Sequence, residues 1–78
     1  MPYDSKTKID DFHGFEIAVE CIQHRQSGPW EYEVTVRDPD GRQVLPPVRS
    51  HDGGKPTFEE AAKVGIDQGR RFVDDLRR

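Results

Sequence analysis

Trp30-Glu31-Tyr32-Glu33-Val34-Thr35-Val36-Arg37-Asp38-Pro39-Asp40-Gly41 reads as one strand running into one turn. Trp30, Tyr32, Val34 and Val36 fall on one side of an extended chain, and Glu31, Glu33, Thr35 and Arg37 fall on the other. That period of two is the mark of a half-buried strand. In the turn, Pro39 presets φ at its second position and Gly41 accepts a left-handed backbone, which predicts a type I turn closed by a bulge. This geometry sets Asp38 opposite Arg42, Val36 opposite Val44 and Tyr32 opposite Val48. Pro46 and Pro47 have no N–H to give a ladder, so the returning strand belongs at a sheet edge.

Upstream, residues 14 to 23 repeat the pattern: Phe15, Ile17, Val19 and Cys21 alternate with Glu16, Ala18 and Glu20. A polar hairpin loop, 24 to 29, joins this strand to the next. Residues 1 to 11 are polar and lack periodicity, and are expected to be a flexible arm ahead of a single domain over 12 to 78. Downstream, 49 to 56 read as a polar loop. Thr57-Phe58-Glu59-Glu60 then fits a capping box. From there Phe58, Ala61, Ala62, Gly65, Ile66, Gly69, Phe72, Val73 and Leu76 form one helical stripe, so a helix is predicted over 58 to 77. Gly65 and Gly69 each cost a helix about 1 kcal/mol relative to Ala. Close approach of large strand residues such as Trp30 or Tyr32 is the expected compensation. The fold class is therefore α+β: a three-stranded antiparallel sheet followed by one C-terminal amphipathic helix packed on one face, in the order β-β-β-α.

Composition narrows the function classes. Of the 78 residues, 35% are charged and 32% hydrophobic, enough for one small core and no second domain. The net charge of −3, with 12 Lys and Arg against 15 Asp and Glu, runs against a generic grip on nucleic-acid phosphates. Cys21 has no partner for an internal disulfide, and the first residues lack a signal-peptide core, so a cytoplasmic location is expected. No stretch is apolar enough to predict a membrane span.

Chemistry-bearing residues are sparse. Cys21 points inward and reads as a buried structural thiol. His13, His24 and His51 lack metal-ligand spacing, and His51-Asp52 reads as polar loop rather than a base with its orienter. Gly53-Gly54-Lys55-Pro56 lacks the spacing of a phosphate loop. No enzyme, cofactor or metal site is expected. The functional reading is a protein-interaction module that binds an unidentified protein or a second copy of itself. Its binding face is expected around Ile22, Glu31, Glu33 and Leu45 on the uncovered side of the sheet, with Glu16 and Glu20 alongside. The alternative is nucleic-acid binding through Arg25, Arg42, Arg49 and Lys55, gathered at one end of the sheet.

The run from Tyr32 to Gly41 followed by Thr57-Phe58-Glu59-Glu60-Ala61-Ala62 resembles small bacterial β-β-β-α proteins of unknown function, an architectural likeness over residues 14 to 78. The same order is similar to the second half of double-stranded-RNA-binding domains. There, however, Glu59 and Glu60 stand where that family carries basic residues, and its leading helix has no room before Gly14. It is also similar to HicB-type antitoxins, without the strand expected after the helix or a DNA-binding extension.

Overall fold

A computed structural model describes residues 3–50 and 53–78. Five elements follow in order: β1 (Asp4–Phe12), β2 (Phe15–Gln23), β3 (Trp30–Arg37), β4 (Val48–Arg49) and α1 (Phe58–Leu76). The strands form one antiparallel sheet in the order β1-β2-β3-β4, and α1 lies across one face of it. The α+β class and the C-terminal helix are as the sequence reading has them, with one strand more.

That strand is β1, and it corrects the flexible arm. Residues 4 to 12 pair along their whole length with β2, from Asp4 opposite Gln23 to Phe12 opposite Phe15, so the folded unit begins well before residue 12. The hinge is His13-Gly14, both at positive φ (54° and 83°). Two consecutive left-handed residues make the tight hairpin turn whose twist matches that of its strands. A strand held mainly by backbone pairing needs little apolar patterning, which is why its polar sequence conceals it.

The turn at Asp38 closes as its chemistry predicts. Gly41, at φ 84°, donates its N–H to the Asp38 carbonyl at 2.9 Å, and Asp38 Oδ1 accepts from the N–H groups of Asp40 and Arg42. Near the turn the expected register holds, since Val44 donates to the Val36 carbonyl at 3.0 Å. Farther on it slips by two residues. Val48 lies opposite Val34 rather than Tyr32, and Ser50 donates to the Tyr32 carbonyl. Between the two pairings β3 advances from Val36 to Val34, whereas the returning chain advances from Val44 to Val48. The surplus length is taken up around Pro46-Pro47, which have no N–H to donate to the ladder. Lys55 then exchanges two backbone hydrogen bonds with Trp30, at 2.7 and 2.8 Å.

The core lies between α1 and the inward faces of β2 and β3. Ile17, Val19, Cys21, Val34, Val36 and Val73 are its largest fully buried side chains. Thr57 opens the helix by accepting the N–H of Glu60 at 3.1 Å. The glycine stripe meets β2, not Trp30 or Tyr32. A Cβ on Gly65 would sit 2.6 and 2.8 Å from the two Val19 methyls, and one on Gly69 would lie inside contact distance of Ile17. Spacing explains the choice. Four helical residues rise about 6 Å and two strand residues about 6.8 Å, so Gly65 and Gly69 meet Val19 and Ile17 in step. Trp30 instead stacks obliquely on Phe58 at 5.8 Å, and the Tyr32 hydroxyl accepts from the Gln68 amide.

Gly65→Ala should therefore destabilise the fold by about 1–2 kcal/mol, overpacking outweighing its better helix propensity. Combined with Val19→Ala, the same substitution should become neutral or stabilising. Urea denaturation of the four chains of this double-mutant cycle checks both statements. A Gly65→Ala chain that gains stability on its own would show that the helix does not approach β2 this closely.

Candidate functional site: the uncovered sheet face and the β1 edge

Strand alternation divides the side chains between two faces. Even positions of β1 and β3 and odd positions of β2 turn towards α1. Odd positions of β1 and β3 and even positions of β2 form the other face, which no described element covers. On this open face Asp11, Glu16, Glu20, Glu31 and Glu33 stand against two cations, Arg37 and Arg49. Apolar side chains there are Ile9, Ala18 and Ile22.

Cross-strand pairing explains how these charges are held. Glu16 lies opposite Arg37, an attractive pair. Arg49 reaches across to Glu33, Nε to Oε2 at 2.8 Å, and His24 Nε2 lies 2.8 Å from Glu31 Oε2. Glu20 lies directly opposite Glu33, a like-charge pairing that disfavours the strand association it sits in. Around it Glu20, Ile22, Glu31, Glu33 and Arg49 border a shallow depression of about 220 Å³.

The structure brings together three of the four residues expected on the binding face: Ile22, Glu31 and Glu33. Leu45 is a correction. It packs against the core on the helix side, lining a cleft with Val34, Val36 and Phe72. The excursion at Pro46-Pro47 breaks the alternation that would have turned it outward. The four cations of the nucleic-acid alternative are not gathered at one end. Lys55 pairs with Trp30 at the start of β3, and Arg25 lies in the adjoining loop. Arg42 sits beyond Arg37 at the far end, about 25 Å away at 3.3 Å per strand residue, and Arg49 is engaged by Glu33. His51 and Asp52 lie outside the described residues.

Residues the sequence reading passed over come from β1. Thr7, Ile9 and Asp11 widen the open face, while Lys6, Lys8 and Asp10 flank the helix. Lys6 Nζ lies over the Phe58 and Trp30 rings at 5.2 and 5.8 Å. Asp10 Oδ2 accepts from Arg70 Nε at 2.9 Å, and that bond and charge raise the Arg70 pKa further. Between β1 and α1 runs a groove of about 450 Å³, with Phe58, Ala62 and Ile66 in it and Lys8, Asp10 and Arg70 among its charged residues. The signal was present in Phe12-His13-Gly14-Phe15, two aromatics around a two-residue turn.

Among the described residues no His, Cys, Asp and Glu group could hold a metal ion, and no helix is long and apolar enough to cross a membrane. No family model, curated protein or solved structure matches this chain.

Cys21 is fully buried, and that burial, with the neighbouring Glu20 charge adding to it, pushes its thiol up to about 11 from an ordinary 9.0. The native protein therefore keeps this proton where the unfolded chain loses it. Its contribution to stability is complete below about pH 9 and is lost as pH rises towards 11, by roughly 2–3 kcal/mol. Denaturant titrations of wild type and Cys21→Ala across that range should show the steeper alkaline loss in wild type. Parallel curves would place the thiol in contact with water.

Proposed function

We propose that this chain is a non-enzymatic protein-binding module whose open sheet face receives a basic segment or surface of another protein. The observation that carries the reading is the Glu20–Glu33 pair. It stands at the middle of an uncovered face where carboxylates exceed cations, and it is arranged against the interest of sheet stability. Natural proteins tolerate such local conflicts where binding rather than folding sets the residue type. Ile22 and Ala18 beside the pair supply apolar surface of the kind an interface core needs, and a partner cation at Glu20 would offset the repulsion that remains with Arg49 bound to Glu33 alone.

Nucleic acid is not favoured as the occupant, because the described cations do not form a continuous stripe along which a phosphate backbone could run.

A charge reversal at Glu20 separates this reading from a merely solvated surface. Glu20→Lys should raise stability by a few tenths of a kcal/mol, since it turns a like-charge pair into an attractive one. It should also abolish capture of basic proteins from a nuclease-treated lysate, and the wild-type capture should fall as salt is added. If Glu20→Lys retains the same proteins as wild type, the open face is not the binding surface.

A further inference from the structure

One edge of the sheet is β1, and the direction of its outward backbone groups follows from hydrogen bonds at the opposite side. In β3, Trp30, Tyr32 and Val36 bond outward to Lys55, Ser50 and Val44, so the even residues of β3 serve the β4 side. Odd residues of β3 therefore bond even residues of β2, and odd residues of β2 bond even residues of β1. This leaves the N–H and C=O groups of Ser5, Thr7, Ile9 and Asp11 directed away from the sheet. No described strand or helix pairs with them, and of their N–H groups that of Ser5 donates to Asp4 Oδ1 at 2.8 Å.

The side chains along this edge read as their own complement. Rotating a second β1 by a two-fold axis at Ile9 places Lys8 opposite Asp10 twice, Thr7 opposite Asp11 twice and Lys6 opposite Phe12 twice. Centring the axis on Thr7 instead sets Lys6 against Lys8 and Asp4 against Asp10. Centring it on Lys8 or Asp10 sets that residue against its own copy. Of these registers only the one at Ile9 avoids every like-charge contact, and its parity matches the free backbone groups, because Ile9 is an outward-bonding residue. The Lys8–Asp10 pairs then fall at non-hydrogen-bonded positions, where facing side chains are closest.

We propose that β1 pairs with β1 of a second copy of this chain, antiparallel about Ile9, joining two sheets into one of eight strands. The two-fold axis is perpendicular to the sheet, so both helices lie on one side and both open faces merge on the other. Ile9, 56% exposed in the single chain, meets its copy beside Ala18 from each subunit. The grooves between β1 and α1 then open towards one another, and Lys8 of each copy approaches Asp10 of the other beside Arg70. This goes beyond the protein-binding reading and stands or falls separately, since it concerns the edge of the sheet rather than its face.

Sedimentation equilibrium from micromolar to millimolar chain should give twice the monomer mass of 9.0 kDa at the upper concentrations. Lys8→Asp and Asp10→Lys should each weaken the dimer at least tenfold, and an equimolar mixture of the two variants should restore a one-to-one complex. Ile9→Pro removes an N–H directed away from β2, so it should abolish the dimer while circular dichroism stays native. In wild type, amide exchange at Thr7, Ile9 and Asp11 should slow with concentration. A wild-type chain that remains monomeric to millimolar overturns the proposal, as does a dimer that survives both Ile9→Pro and Lys8→Asp. Where Asp10→Lys does not fold, having lost the Arg70 partner, those two variants decide.

Discussion

The contact between the backbone of α1 and the branched side chains of β2 sets the position of everything else. Gly65 and Gly69 remove the two Cβ atoms that would collide with Val19 and Ile17, so the helix sits lower on the sheet than a stripe of Leu would allow. A chain with only 32% hydrophobic residues gains from this, because closeness raises the number of van der Waals contacts made by each small side chain. The conformational cost of two glycines in a helix is the counterweight. Since the step between the glycines suits the step between Val19 and Ile17, the alignment is specific to β2, and it holds α1 over the β2–β3 half of the sheet.

What that alignment leaves bare follows directly. A single helix over β2 and β3 does not cover β1, so the even positions of β1 border a groove and carry Lys6, Lys8 and Asp10 instead of core residues. Two of these side chains reach partners on the helix or beside it. Lys6 lies over Phe58 and Trp30, and Asp10 binds Arg70. The far side of the sheet has no role in the core at all. Its charges are therefore free of packing demands, which is how a pair as unfavourable as Glu20 opposite Glu33 can persist within a regular ladder.

Much of this was legible in the sequence, and the misses have physical causes. β2, β3, the Asp38 turn and α1 were readable because each couples a strong apolar period to a capping or turn residue. The placement of Glu16, Glu20, Glu31 and Glu33 on one face followed from alternation alone. β1 escaped because its side chains are solvated on one face and half-solvated on the other, leaving no apolar period; only its two-residue turn betrays it. Leu45 was assigned to the wrong face because alternation presumes an unbroken strand, and two consecutive prolines interrupt it. The cations Arg25, Arg42, Arg49 and Lys55 looked like one group along the sequence. The length of β3 holds Arg42 at one end of the sheet, away from Arg25 and Lys55 at the other.

By itself the sequence determined the class of the fold: two amphipathic strands, a turn that returns the chain and a helix with one apolar stripe must bury those faces against each other. It also determined that Cys21 is buried and which carboxylates share a face, since both follow from local periodicity. Tertiary structure alone decided which strand the glycines of α1 rest on, how the returning chain absorbs its surplus residues, and that a polar leader becomes the edge of the sheet. Those outcomes depend on spacing matched between distant segments and on backbone hydrogen bonds, and neither leaves a periodic trace in the side chains.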